Sequence, residues 1–141
     1  FHNMSKTTTR DHMIRAVMEG VAYNTRWMLQ YTEKFIGRKM SPIRIVGGGA
    51  KSDLWCQIFA DVMQREIRQV SGPIHANARG AAFIALVGLG KISFDDIPDL
   101  VQYEQTFSPI AKNVTIYNEL FKAFIRLYKA NRPIYQGLNR V

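Results

Sequence analysis

The sequence predicts an α/β fold, and three neighbouring patterns support that expectation. A short β-branched run, 43–46, has the composition of a strand buried on both faces. Three glycines follow, and apolar residues then recur at helical spacing over 52–64. A second strand pattern, "EIRQV", occupies 66–70. A strand–helix–strand unit of this length predicts two parallel strands joined by a right-handed crossover.

Length and composition fit one globular domain with a substantial core. The chain has 141 residues, of which 47% are hydrophobic and 21% charged. The formal net charge of +8 is compatible with nucleic acid, a membrane surface or a phosphorylated small molecule as partner. The basic residues are scattered, so the helical stripe of Lys122, Arg126 and Lys129 is expected to be a solvated face. Neither nucleic acid nor a membrane is therefore expected as a partner.

The cysteine count and the first residues suggest where the protein acts. Cys56 is the only cysteine, which excludes an internal disulfide and suits the cytoplasm; we expect it to be a buried or half-buried thiol. No apolar run approaches the roughly 18 residues of a membrane span. The chain begins "FHNMSK" and enters a helical pattern almost at once, so we expect it to be a piece of a longer protein.

A long helix is predicted before the first strand, over 8–36. A capping box of Thr8 and Asp11 is expected to start it, and Gly37 to end it. Gly20 interrupts the helix, where it could allow close packing by a neighbour. One stripe of apolar residues is expected to face the core: Ile14, Val17, Val21, Met28 and Phe35.

After the second strand the pattern predicts two more helices. The first covers 77–88 and carries a face of small residues: Ala78, Ala81, Ala82 and Ala85. Residues 91–112 contain two prolines and no regular apolar spacing, so we expect a connecting loop with one helical turn and an extended piece. The last helix is predicted over 113–131, with Pro133 ending or kinking it. Its wide apolar face is Ile116, Leu120, Phe121, Phe124, Leu127 and Tyr128.

The glycine run is the strongest functional signal. A tight turn needs one or two glycines, whereas Gly47, Gly48 and Gly49, followed by Ala50, leave bare backbone at the carboxyl end of a strand. Ligands bind at that edge of an α/β sheet. The run fails both the P-loop pattern and the dinucleotide fingerprint by one essential residue. A flat base lying on the glycines, with hydrogen bonds to Ser52 and Asp53, fits better; a purely structural turn is the alternative.

Other polar residues give weaker signals. The histidines show no metal-ligand spacing, so no metal site is expected. Asp61 is expected to brace the chain locally, the adjacent Asp95 and Asp96 to face water, and Trp55 to belong to the core. Lys51 could reach a phosphate but more often such a residue points to solvent.

Three separated motifs resemble one family. "GGGAKSDLWCQIFADVM", which starts at Gly47, is similar to the second signature of the FGGY carbohydrate kinases. "TTTRDHMIRAVMEGVAYNTR" resembles the family's "TR-x-H-x-x-RA-x-x-EG-x-A" helix, and "NARGAAFIALVGLG" its later "GAA" helix. The motifs occur in the family's order and span most of residues 7–90.

The resemblance implies an actin-like, ribonuclease-H-like ATPase domain with a mixed sheet and packed helices, here a partial domain. Residues 1–141 would be the second domain of a two-domain kinase, truncated on its N-terminal side. Such kinases transfer the γ-phosphoryl of ATP to a sugar hydroxyl with Mg²⁺. On this chain, Gly47, Gly48, Gly49 and Ala50 would form the adenine ledge for ATP or ADP, with Ser52 and Asp53 as polar contacts.

The resemblance also implies what this chain lacks. The catalytic Asp and most sugar contacts belong to the family's first domain, and the phosphate hairpin precedes Phe1, so the fragment alone is expected to be inactive. Gly80 and Ala81 would pack at the hinge between domains. Many relatives carry an acidic residue where this chain has 75–77, "HAN". A pentulose such as xylulose is the first expectation for the substrate, and other ketoses, polyols and gluconate are the alternatives. A homodimer is a further possibility. The alternative function is a non-catalytic binding module that uses the basic surface for nucleotide or nucleic acid.

Overall fold

A three-stranded mixed sheet forms the centre of the computed structural model, which describes residues 2–139. The strands are β1 (Ile43–Ile45), β2 (Ile67–Val70) and β3 (Tyr103–Phe107), and β2 lies in the middle. β1 and β2 are parallel, as the strand–helix–strand order predicts. β3 runs antiparallel to β2 and is the extended piece expected within 91–112.

The described residues also form five helices: α1 (Arg10–Ile36), α2 (Asp53–Met63), α3 (Ala76–Gly88), α4 (Ile97–Leu100) and α5 (Ala111–Leu138). α2 is the central helix because it contacts α1, α5 and the sheet. Short 3₁₀ turns precede α2, α3 and α4. The predicted order of helices and strands is therefore confirmed, and α4 is the single helical turn expected in the third connection.

Two buried clusters meet at α2. The first joins α2 to both long helices and consists of Ala22, Tyr23, Ile58, Val62, Tyr117 and Phe121. The second joins α2 to the sheet and to α1, and consists of Leu29, Cys56, Ala60, Met63, Ile67 and Phe107. Aromatic contacts reinforce the first cluster, with the ring centroids of Tyr23 and Phe124 5.6 Å apart. These contacts fix α2 on the sheet and so fix the turn from which it starts.

The predicted core stripe of α1 is wrong. Its five residues, Ile14, Val17, Val21, Met28 and Phe35, are all exposed, and Phe35 is 91% exposed. The buried positions are Ala22, Tyr23 and Leu29. Val21 and Met28 each come one residue before a buried position, and one residue corresponds to a rotation of about 100° around a helix. The helix therefore carries two apolar faces, of which only the one that includes Ala22 and Tyr23 packs against α2 and α5.

Three details of the helices also differ from expectation. The capping box of α1 is formed by Thr9 and His12, whose side chains accept each other's backbone N–H, and not by Thr8 and Asp11. Gly20 has no close neighbour, because a Cβ there would meet nothing within 4 Å. Gly37 does end α1, with the left-handed φ of 70° that favours glycine.

α5 continues through Pro133 to Leu138 without ending at the proline. The carbonyl oxygen that loses its N–H partner to the proline is that of Lys129, an exposed residue, so it can bind water. The apolar face predicted for this helix is only partly buried. Phe121 is buried and Phe124 half-buried, whereas four residues are exposed: Ile116, Leu120, Leu127 and Tyr128.

β1 is likewise less buried than predicted. It lies at the edge of the described sheet, with Arg44 and Val46 exposed and Ile43 and Ile45 half-buried. Only its inward face packs, against the second cluster. The β-branched composition identified a strand but did not distinguish a central strand from an edge strand.

Candidate functional site

The glycine run forms a 3₁₀ turn, Gly48–Lys51, directly after β1. The N–H of Gly47 donates to the carbonyl oxygen of Pro73 at 2.8 Å, which joins this turn to the turn that follows β2. Both turns lie at the carboxyl ends of the parallel strands, the edge at which α/β sheets bind ligands. The glycines therefore lie at the edge of the sheet where the sequence predicts them.

Two of the three glycines have structural causes. Gly47 has a φ of 91° and a ψ of −177°, a conformation open in practice only to glycine. A Cβ on residue 49 would lie 2.5 Å from Cζ3 of Trp55 and 2.8 Å from its Cε3. Only glycine therefore leaves room for the indole ring. The structural interpretation of the run therefore accounts for Gly47 and Gly49.

Gly48 has no such cause. Its φ is not positive, and a Cβ added to it would meet nothing within 4 Å. The residue is exposed at the outer side of the turn. The first N–H groups of a helical turn have no acceptor within that turn, so this surface offers bare backbone and donors to a ligand. Gly48 is the position at which the fold leaves the choice of glycine unexplained.

Ala50 lies beneath the turn and not on its open side. It is fully buried, and its carbonyl oxygen accepts hydrogen bonds from Nε2 of Gln69 at 2.6 Å and from Sγ of Cys56 at 3.5 Å. The open backbone is therefore that of 47–49. A part for Ala50 in holding a base stays a prediction.

Ser52 and Asp53 start α2. Oγ of Ser52 accepts the N–H of Trp55 at 3.3 Å and so caps the helix, which leaves the hydroxyl hydrogen available to another acceptor. Oδ1 of Asp53 lies 3.3 Å from Nε2 of Gln69. The structure brings both predicted polar residues to the base of the turn, and their contact with a ligand stays a prediction.

Asp53 lines a cleft of about 400 Å³ between the two turns and β3. Its polar lining residues are Lys51, Asp53, Gln69, His75, Glu104 and Gln105. Lys51 is exposed, as expected for a side chain that points to solvent. Sequence reasoning missed Gln69. The only signal was a polar residue inside the strand pattern "EIRQV", which by itself does not show which way the side chain faces.

Beneath the turn lie Trp55 and Cys56. Trp55 is half-buried and stacks on Phe59 with ring centroids 5.7 Å apart, which agrees with its predicted place in the core. Cys56 is buried, as predicted, and burial raises the pKa of its thiol, an effect that the nearby Asp53 charge strengthens. A thiol of this kind is unreactive at neutral pH.

Asp61 braces the chain, as predicted. It is 2% exposed, and its carboxylate accepts from the N–H of Ile110 and the amide of Asn113, each at 2.7 Å, and from Gln57 at 2.9 Å. These bonds tie α2 to the start of α5. Asp61 therefore has its hydrogen-bonding capacity used by the fold.

The remaining candidates face solvent. Lys122, Arg126 and Lys129 are exposed along α5, in agreement with a solvated face. Asp96 caps the turn before α4, because its carboxylate accepts hydrogen bonds from the N–H and from the hydroxyl group of Ser93, each at 2.8 Å. These two hydrogen bonds lower the pKa of the Asp96 carboxyl group. The small residues predicted for α3 are exposed, namely Ala78, Ala81, Ala82 and Ala85. Packing of Gly80 and Ala81 at a hinge stays a prediction.

The described residues contain no metal site made of protein side chains alone. Within residues 2–139, no three His, Cys, Asp or Glu side chains are grouped closely enough to hold a metal ion. We therefore assign no metal ligand to this part of the chain. In the same range, no helix combines the length and the apolar composition of a membrane span.

Known proteins match this chain along most of its length. Residues 1–89 match the model of the C-terminal domain of the FGGY family of carbohydrate kinases. A gluconokinase of Bacillus licheniformis is 30% identical over 131 residues, which are 92% of this chain and 25% of that protein. A xylulose kinase of Staphylococcus epidermidis is 28% identical over 98% of this chain and 28% of its own length.

A solved structure extends the match to the fold. The xylulose kinase of Rhodospirillum rubrum superposes with a TM-score of 0.79 and 28% identity over 96% of this chain and 28% of its own. The superposition includes the region after residue 89 and confirms the predicted fold class, an actin-like ATPase fold with a mixed sheet and packed helices. The chain spans about a quarter of the length of these relatives.

Proposed function

The chain belongs to the FGGY family of carbohydrate kinases, and from this premise we propose that it supplies the adenosine-binding part of an ATP-dependent sugar kinase. Residues 1–141 would be the second of two domains. The whole enzyme would transfer the γ-phosphoryl group of ATP to a sugar hydroxyl. The alternative, a nucleic-acid-binding module, has no support from the family match or from the scattered basic residues.

One observation carries this proposal: Gly48 presents exposed backbone that the fold itself does not require. The open backbone of 47–49 can lie against the face of a purine. The Ser52 hydroxyl can donate a hydrogen bond to the nucleotide, and the Asp53 carboxylate can accept one from the amino group of the base or from a ribose hydroxyl. We propose Gly47, Gly48 and Gly49 as the adenine surface, with Ala50 supporting it from below.

Catalysis and metal binding would come from elsewhere in the enzyme. Mg²⁺ would neutralise charge on the phosphates of ATP, and its ligands would be the nucleotide and residues outside this chain. Positioning and closure of two domains would supply the rest. We therefore propose that the 141-residue chain binds ATP or ADP weakly and does not phosphorylate sugar on its own.

The buried free thiol of Cys56 supports a reducing, cytoplasmic location.

The sugar we propose first is a pentulose such as xylulose. Support comes from the xylulose kinases that match this chain in sequence and in structure. Gluconate is the second candidate because the gluconokinase is 30% identical. A coupled ADP-release assay on the enzyme that contains this chain, with xylulose and gluconate compared at equal concentrations, decides between them by kcat/KM.

The nucleotide site is tested at Gly48. A Gly48→Ala methyl group would stand on the open surface without touching the protein, so stability should be unchanged while the Kd for ADP rises about tenfold or more. Titration of the labelled chain with ADP, followed by NMR, measures this Kd. Gly20→Ala is the matched control, since a Cβ there also meets nothing. Equal ADP affinity in Gly48→Ala and wild type, or no ADP binding by wild type, would contradict the proposal.

A further inference from the structure

We propose that Gln69 is a positioning residue that holds the glycine turn in the shape that binds an adenine nucleotide. This inference rests on the proposed function. Gln69 lies on β2, the central strand, and is 4% exposed. A buried amide in a strand needs hydrogen-bond partners, and the partners of the Gln69 amide lie on the segment that carries the candidate site.

The hydrogen bonds fix how this amide is oriented. Nε2 of Gln69 lies 2.6 Å from the carbonyl oxygen of Ala50 and 3.3 Å from Oδ1 of Asp53. A carbonyl oxygen and an ionised carboxylate can only accept, so the NH₂ group must face both of them. The NH₂ group of Gln69 therefore donates one hydrogen bond to each end of the segment 50–53.

That segment joins the open glycines to α2. Ala50 lies in the 3₁₀ turn, and Asp53 is the first residue of the helix. The other side of the turn is held by the hydrogen bond from Gly47 to Pro73. Gly48 thus lies between two anchors, both of which come from β2 or from the turn after it. Holding a binding surface in place before the ligand arrives lowers the entropy lost on binding.

The first test removes both donors. Gln69→Leu has similar volume and cannot donate, so we expect the Kd for ADP to rise about tenfold in the NMR titration. Gln30→Leu is the matched control, because Gln30 is an exposed glutamine of α1 that lies beside the C-terminal end of α2, opposite to the end that carries the candidate site. Its Kd for ADP should equal that of wild type.

The second test separates positioning from packing. Gln69→Glu has the same shape, but its carboxylate repels the Ala50 carbonyl and the Asp53 carboxylate, whereas the same introduced group in its protonated form can donate to Ala50. Burial and the neighbouring Asp53 carboxylate should raise the pKa of the introduced carboxyl group above that of a free glutamate. The ratio of the variant's Kd to that of wild type should therefore be large at pH 8 and fall as the pH is lowered to about 5. An ionised group at this buried position also lowers stability whatever its partners, so urea unfolding is measured at the same pH values. A Kd ratio that only follows the fraction of folded protein would mean a role in packing alone.

The outcomes distinguish the two proposals. If wild type binds ADP and Gln69→Leu binds it equally well, the inference about Gln69 is wrong and the proposed function stands. If Gln69→Leu does not fold, the pH series of Gln69→Glu decides, and a ratio that is flat or only follows the fraction of folded protein overturns the inference. If wild type does not bind ADP, the proposed function fails and this inference fails with it.

Discussion

The indole ring of Trp55 occupies the space that a side chain at residue 49 would need. A Cβ on Gly49 would lie 2.5 Å from Cζ3 and 2.8 Å from Cε3 of that ring. The ring cannot simply withdraw, because it stacks on Phe59 with an interplanar angle of 22° and packs against the cluster between α1, α2 and α5. Gly49 and Trp55 are therefore a complementary pair that fits the turn onto the helix it precedes.

Gly49→Ala should destabilise the protein by about 1–3 kcal/mol, because the added methyl group forces the ring or the turn to move. Urea unfolding of wild type and variant measures the difference in free energy. A double-mutant cycle with Trp55→Leu supplies the control: without the ring, the same Gly49→Ala change should cost much less. Equal costs in the two backgrounds would show that the ring is not what excludes a side chain at residue 49.

The sequence predicted the position of the turn but not the separate cause of each glycine. Helical spacing after a β-branched run located the turn at the end of β1. The requirement at Gly49, by contrast, depends on the rotamer of Trp55 and on its stacking against Phe59, which are tertiary properties. Gly47 needs glycine for its backbone angles. Only at Gly48 does the choice of glycine itself favour a ligand, because the fold supplies no other cause there; contact of all three glycines with a base stays a prediction.

The buried face of α1 shows a second limit. Two apolar stripes lie side by side on this helix, and the three-to-four spacing predicted the one that is exposed. The stripe that packs contains Ala22 and Tyr23, which are buried in one cluster with Ile58 and Phe121 of the facing helices. Packing of this kind is a property of pairs of elements and cannot be predicted from one helix. Gln69 was missed for the same reason, since both of its partners lie on another segment.

Asp61→Asn should destabilise the protein by about 2–3 kcal/mol. All three groups that face the Asp61 carboxylate are donors: the N–H of Ile110 and the side-chain amides of Asn113 and Gln57. An asparagine would turn its own NH₂ group towards one of them and leave a partly buried donor without an acceptor. Asp95→Asn is the control, because Asp95 is exposed. If both variants lose the same free energy of unfolding in urea, Asp61 does not brace α2 against α5.

Glu33 and Arg65 form the most completely paired ion pair among the described residues. Oε2 of Glu33 accepts a hydrogen bond from Nη2 of Arg65 at 2.9 Å. Oε1 of Glu33 accepts hydrogen bonds from Nε and Nη2 of the same guanidinium group. Oε1 also accepts the N–H of Met40 at 2.8 Å, so the carboxylate joins α1, the segment before β1 and the end of α2. The side chain of Glu33 is 13% exposed, which reduces screening by solvent.

These contacts make stability depend on the protonation of Glu33. Hydrogen bonds from Arg65, and then from the Met40 N–H, lower the pKa of the Glu33 carboxyl group below its ordinary value of 4.5. A group whose pKa is lower in the folded state stabilises that state above the unfolded pKa, and the stabilisation disappears as the pH falls through the folded pKa. Glu33→Gln removes this contribution and should cost roughly 1.5 kcal/mol at pH 7, the lower end for a hydrogen bond to a charged group.

The difference between wild type and Glu33→Gln should therefore be constant from pH 7 down to about pH 5 and should shrink as the pH is lowered further. Urea unfolding at a series of pH values between about 7 and 3 measures it. Glu119→Gln, on the exposed side of α5, is the control and should show little difference from wild type at any pH. A difference for Glu33→Gln that does not change with pH would mean that the side chain acts through packing and not through its charge.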